Sequence, residues 1–360
     1  MEGRIEERVL HFKQPAGTSR GVYTERKIWL VHLTDDGREG IGECAPLPDL
    51  SCDALPDDVY RERLEKACEE FCRRQESQRG QSLMCSAGFA HEGQSPSDSF
   101  EALRPYPSML FGLETAWLNL QNGNRLFDMM FSRGEVGIPI NGLVWMGSYE
   151  EMLQRMEEKL EKGFRCVKLK IGAIDFDQEL DLIKRIRERF SHHEVELRLD
   201  ANGAFPFDEA LYKLELLSQY AIHSIEQPIR QGQWAYMAEL CRESPLPIAL
   251  DEELIGVNDP EMKRHMLQMI KPRYIILKPS LHGGMQGCRE WIETARDLGI
   301  GSWITSALES NIGLNAIAQF ASDVYGDNIR MPQGLGTGQL FTDNIPMPLE
   351  IRGDQLWVKR

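Results

Sequence analysis

"CVKLKIG", residues 166–172, has the composition of a β-strand and carries two lysines. Lys168 and Lys170 are two apart, so on a pleated strand both amines leave from the same face. An internal strand carries two ammonium groups on one face only if something on that face pairs with them or uses them.

Similar short apolar runs recur on both sides of this one: "INGLVWM" before it, then "VELRLDANG", "SIEQPI", "IALDEE", "YIILKPS", "GSWITSALES" and, more weakly, "RMPQGLGTG". The segments between them, such as "EEMLQRMEEKLEKG" and "DQELDLIKRIRERF", have helical periodicity. Taking Met146, Lys170, Asp200, Glu226, Asp251, Lys278 and Ser306 as markers, successive separations are 24, 30, 26, 25, 27 and 28 residues. Each step fits one strand, one helix and two short loops, which predicts an α/β fold with a (β/α)8-type (modified TIM) barrel. An open doubly wound sheet has the same alternation. The barrel is preferred because polar residues end nearly every run, and only a closed barrel brings those ends to one mouth.

The first hundred residues read differently. "KIWLVHLTDDGREGIGECAPLP" holds two strand-like runs around Asp36-Gly37, a hairpin dipeptide. Tyr60, Leu64, Ala67, Cys68 and Phe71 follow at helical spacing. Residues 76–99 are rich in Gly, Ser and Gln and predict an exposed loop. "PSMLFGLETAWLNLQ" starts with Pro107 and puts Leu110, Leu113, Ala116, Trp117 and Leu120 on one stripe, as expected of a helix packed between this α+β unit and the barrel.

Composition narrows the partners. A net charge of -15 and a pI near 5.1 repel phosphate backbones and anionic membranes, so neither nucleic acid nor membrane is expected. A small molecule is. The eight cysteines form no C-x-x-C pair, which predicts reduced thiols. No signal-like or membrane-spanning run is present, and a cytoplasmic location follows by default. Oligomeric state is not legible.

Three acids end successive runs: Asp200, Glu226 and Asp251. Any one acid after a strand is ordinarily a helix N-cap. Three converging on one mouth would repel one another and hold protons unless a hard cation joined them, and carboxylate oxygens suit Mg²⁺, or Mn²⁺ in its place. Lys168 and Lys170 come one strand before the acids and Lys278 one strand after, so amines face each other across the mouth. A second ammonium and a nearby dication both lower a lysine pKa towards that of a general base. Such parts suit removal of a proton α to the carboxylate of a small-molecule substrate, with the enolate stabilised electrostatically.

The ordered set "KLKIG", "LDANG", "IEQP", "ALDEE" and "LKPSLHGG" resembles the barrel of the enolase superfamily, in its muconate-lactonising subgroup. "GIGECAPLP" and "PSMLFGLETA" are similar to that group's capping domain and following helix. The resemblance implies an α+β capping domain over residues 1–125, completed by about 340–360, and a catalytic barrel over 126–339. It implies Lys170 as the base that takes the α proton and then protonates a leaving hydroxyl, Lys168 as the group that lowers its pKa, and Lys278 as the stabiliser of the enolate. Asp200, Glu226 and Asp251 would hold Mg²⁺, with Asn202 behind them. "ITSALESNIGL" points to a dehydratase branch. Ser306 and Ser310 there, and Arg20 in a lid loop over about 15–23, would bind a remote substrate carboxylate. Racemases of acylated amino acids and dipeptide epimerases use the same scaffold; the epimerases' D-x-D on the eighth strand has no counterpart in "MPQGLGTG". A barrel that only binds a ligand would leave the lysines and acids without purpose.

Overall fold

The computed structural model describes residues 1–18, 21–85 and 100–359. Its first sheet is antiparallel: β1 (Glu2–Thr18) pairs with β2 (Gly21–Asp35), which pairs with β3 (Arg38–Cys44). Asp36 and Gly37 join β2 to β3 at φ 48° and 76°, the left-handed pair that a two-residue hairpin needs. Against this sheet lie α1 (Asp57–Cys85) and α2 (Pro107–Asn122). Trp29, Val31, Leu33, Tyr60, Leu64, Phe71, Met109 and Leu113 form their common core.

The loop expected over 76–99 is corrected in part, because α1 continues through Cys85. Glu, Gln, Arg, Leu and Met are good helix formers, and the one glycine there costs only about 1 kcal/mol. Residues 86–99 lie outside the described residues. Close packing of α2 on β3 needs glycine at both surfaces. A Cβ on Gly42 would fall on the carbonyl oxygen of Gly112, and one on Gly112 would strike Cys44 Sγ.

The second sheet is parallel and follows chain order through seven strands: β5 (Gly142–Val144), β6 (Cys166–Lys170), β7 (Glu196–Asp200), β8 (Ser224–Glu226), β9 (Ile248–Leu250), β10 (Tyr274–Leu277) and β11 (Gly301–Ile304). A helix follows each: α3 (Tyr149–Glu161), α4 (Phe176–Arg189), α5 (Phe207–Ser218), α6 (Trp234–Glu243), α7 (Pro260–Ile270), α8 (Gly284–Asp297) and α9 (Asn311–Tyr325). The expected eighth run holds its place with two residues: Gln333 bridges Ile140 beside β5, and Gly334 bridges Thr305 beside β11. Backbone bonds Asn141 N to Gln333 O (3.0 Å) and Gly334 N to Ile304 O (2.8 Å) close the ring. The fold is therefore a TIM-type barrel with a capping unit.

Outward residues such as Val167, Leu169, Leu199, Ile225 and Leu250 pack under the helices in one large core. Arg198 and Trp303 fill the lower interior, the guanidinium 4.4 Å from the ring centroid. After the eighth run the chain returns to both units. Leu340 and Thr342 bond to β1 backbone, and a hairpin of β12 (Leu349–Arg352) and β13 (Gln355–Val358) pairs with β4 (Ile138–Pro139). Cys44, Cys52, Cys68, Cys72, Cys166, Cys241 and Cys288 are free, and among the described residues no helix is long and apolar enough to cross a membrane.

Candidate active site

Strand register assembles the site. Lys170, Asp200 and Glu226 are lateral partners on β6, β7 and β8, so their side chains leave one row in one direction. Lys168 is one inward position lower on β6. All four are nearly excluded from solvent. Lys168 Nζ lies 2.8 Å from Asp200 Oδ2 and 2.9 Å from both oxygens of Glu226. Lys170 Nζ lies 3.1 Å from the same Asp200 oxygen and donates to Asn202 Oδ1 at 2.6 Å. On the other side Lys278 Nζ donates to Asp251 Oδ2. His282, held neutral by burial that pushes it down to about 3, accepts the Lys278 backbone N–H at 2.8 Å.

The electrostatics follow from burial and crowding. Burial, then Asp200 and Asp251, push the Glu226 carboxyl well above the carboxylate range. Burial acts the same way on Asp200 and Asp251, but nearby lysines outweigh it and hold both low: Lys168 and Lys170 for Asp200, Lys278 for Asp251. Burial pushes the Lys168 ammonium down, yet Asp200, Glu226 and Asp251 together hold it above its ordinary range. Lys278 is raised in the same way, chiefly by Asp251. In this arrangement carboxylates dominate the field at Lys168 and Lys278.

Whether these acids fit a divalent cation turns on their donor chemistry. Three buried carboxylates lie close enough to perturb one another, and Asp251 Oδ1 is buried with no hydrogen-bond partner. Among the described residues no three acidic, His or Cys side chains form a ready-made metal cluster, and the ammonium groups of Lys168 and Lys278 sit against the carboxylates. In kind, three carboxylates of hard oxygen are the donor set that Mg²⁺ takes.

The remaining expectations divide. Ser306 lines the cavity, where its Oγ accepts the Thr337 hydroxyl at 2.8 Å and the Leu308 N–H at 3.0 Å. Ser310 is corrected: it is fully buried away from the cavity, capping α9 through Ile312 N and donating to Glu43. Arg20 lies outside the described residues. Asn202 reaches the site from a left-handed turn (φ 45°) rather than from a continued pleat. A continued pleat would turn Glu252, next to Asp251, away from the site; β9 ends at Leu250, a 3-10 turn begins, and Glu252 enters the cavity wall, accepting from Asn202 Nδ2 at 2.9 Å. Trp145, whose ring centroid lies 5.8 Å from Lys170 Nζ, had no signal in the sequence. The cavity measures about 540 Å³ and runs from the three lysines to Phe12, Ala16, Tyr23 and Leu47 of the capping unit.

A capped parallel barrel with lysines set against strand-end carboxylates at its mouth is the architecture of a barrel enzyme. The chain belongs to the enolase superfamily: the family described as Enolase C-terminal domain-like matches residues 151–358, and MenC, N-terminal domain, matches 18–93. It is 48% identical over 362 residues to the o-succinylbenzoate synthase of Desulfotalea psychrophila, covering 97% of this chain and 96% of that one. The crystal structure of MenC from Desulfotalea psychrophila LSv54 matches with a TM-score of 0.83 at 42% identity, over 99% of both chains. The N-succinylamino acid racemase of Thermus thermophilus is 30% identical over 321 residues, 87% of this chain and 79% of that one. The protein is an enzyme, a lyase similar to o-succinylbenzoate synthase.

Proposed function

We propose that the protein dehydrates 2-succinyl-6-hydroxy-2,4-cyclohexadiene-1-carboxylate to o-succinylbenzoate, a step of menaquinone biosynthesis. The observation that carries this reading is the meeting of Lys168 and Lys170 with Asp200 and Glu226, opposite the pair Lys278 and Asp251, at the floor of one cavity. Asp200, Glu226 and Asp251 would hold Mg²⁺, which when bound polarises the substrate carboxylate as a Lewis acid.

Lys170, after giving a proton to solvent, takes the α proton of the substrate at Nζ, and the C–H electron pair passes into the enolate. Asn202 Oδ1 orients that nitrogen. The same ammonium then returns the proton to the hydroxyl on the neighbouring carbon; the C–O bond breaks, water leaves and the ring becomes aromatic. Lys278 stabilises the enolate by charge, and Lys168 keeps Asp200 ionised.

Racemisation of N-succinyl amino acids is the second reading, supported by the Thermus thermophilus relative. One assay separates the two: follow the ultraviolet change of aromatisation beside α-proton exchange of N-succinyl amino acids, with Mg²⁺ present. Dehydration that disappears in a folded Lys170→Ala variant supports the first reading. Exchange without dehydration replaces it with the second.

A further inference from the structure

One end of the cavity is built by the loop after β11, through Ser306, Ala307 and Leu308. That loop is a poor candidate for holding its own shape. Leu308 sits at φ 66°, in the left-handed region that non-glycine residues avoid. The first turn of α9 also leaves backbone N–H groups that need acceptors.

The acceptors and donors come largely from the capping unit. Glu43, at the end of β3 and fully buried, accepts Ser310 N at 2.8 Å on one oxygen and Gly313 N at 2.9 Å on the other, which also takes the Ser310 hydroxyl. Arg26 of β2 is also buried and makes its bonds to carbonyl oxygens: Leu308 at 3.3 Å and Ala307 at 3.4 Å on the loop, Ala45 and Pro46 on its own side. Its charge offsets Glu43 and the loop's own Glu309, whose oxygens accept Ala307 N and Ser280 Oγ at 2.6 Å each. Leu308 itself packs on Leu10, Ile28, Leu30 and Ala45, all from the capping unit.

We propose that Glu43 and Arg26 are positioning residues for the substrate: they fix the backbone of residues 306–308, and so shape this end of the cavity without lining it themselves. The inference rests on the reading that the substrate occupies this cavity. It differs from simple adhesion between the two units, which would lower stability and leave substrate affinity alone.

The test uses Glu43→Gln, which loses one acceptor without changing shape, and Gly313→Ala. Gly313 is helical, where alanine is favoured, but a Cβ there would lie 2.7 Å from Glu309 Cβ and 3.0 Å from Glu43 Oε2. Both variants are expected to raise KM about tenfold with kcat within about threefold of wild type, the split produced by lost binding rather than lost chemistry. Amide hydrogens of residues 307–313 are expected to exchange faster while those of β6 and β7 do not change. Arg26→Lys, which keeps the charge and loses the fork, gives the same reading where Glu43→Gln fails to fold. A lower melting temperature with unchanged KM and unchanged exchange in the loop overturns the proposal. Should the wild type fail to turn over the dehydration substrate, the exchange measurement still decides the clamp, and the failure belongs to the proposed function.

Discussion

Lys168 Nζ is shared between two acids from the next two strands, 2.8 Å from Asp200 Oδ2 and 2.9 Å from each oxygen of Glu226. Removing one member of such a buried group leaves charges with neither water nor partner, at a cost of about 3–5 kcal/mol. Lys168→Met is therefore expected to lower unfolding free energy at pH 7 by about 3 kcal/mol in urea titrations, and to abolish turnover. Added Mg²⁺ is expected to return part of that stability, since a cation held by the freed carboxylates binds only the folded chain. An unfolding midpoint that ignores Mg²⁺ in this variant would count against Asp200 and Glu226 as metal ligands.

Glu114 on α2 accepts Met285 N at 2.6 Å and Gln286 N at 2.9 Å, capping the first turn of α8 from the other unit. Burial pushes its carboxyl up to about 7, more than these two N–H groups pull it down. Below pH 4.5 folded and unfolded chains both carry this proton. Between about 4.5 and 7 the unfolded chain releases it and the folded chain keeps it, so the contribution of Glu114 to stability falls as pH rises through that window and is level above 7. Glu114→Gln should flatten the pH dependence by about 3 kcal/mol between pH 4.5 and 7.5, read as the difference between wild-type and variant unfolding curves. Parallel curves would place the carboxyl in the ordinary range.

Much of this site was legible because barrel chemistry writes itself at strand ends, where a polar residue stands out against an apolar run. Lys168, Lys170, Asp200, Glu226, Asp251 and Lys278 all carry that signal, and register alone then brings Lys170, Asp200 and Glu226 into one row. What escaped depends on chain geometry after the strand stops. Glu252 enters the cavity because a 3-10 turn replaces the pleat at Asp251, and Asn202 does so through a positive φ. Glu43 and Ser310 meet across 267 residues of sequence, a distance over which local periodicity carries no information. Trp145 is an ordinary apolar residue until Lys170 is placed beside it.

Above the floor, where three lysines are set against Asp200, Glu226 and Asp251, the cavity wall carries Lys13, Arg155, Lys159 and Lys162 against Glu158 and Glu252, while the chain as a whole bears a net charge of -15. A basic cleft in an acidic protein focuses its field on the mouth and draws in a substrate with two carboxylates. KM for the proposed dianionic substrate should rise on the order of tenfold as NaCl is raised from about 0.02 to 0.3 M, with kcat changing far less. Lys159→Gln with Lys162→Gln should make that salt dependence shallower. A KM that is flat across the range would rule out steering by these groups.

Gly112 of α2 faces β3 so closely that an added Cβ would strike Cys44 Sγ and lie 3.1 Å from Cys44 N and 3.2 Å from the Glu43 carbonyl carbon. Its backbone is helical, so alanine would by itself favour the helix by about 1 kcal/mol, and any net loss must come from the contact. Gly112→Ala is expected to lower stability by about 2 kcal/mol, the usual result of forcing extra volume into a packed interface. Cys44→Ala removes the sulfur that is struck but not the backbone beside it. The double variant should therefore recover part of the loss, with a coupling of about 1 kcal/mol in a urea double-mutant cycle. Strict additivity would mean that α2 moves bodily away from β3. The strand end carrying Glu43 would then shift as well, and KM in Gly112→Ala would rise together with the loss of stability.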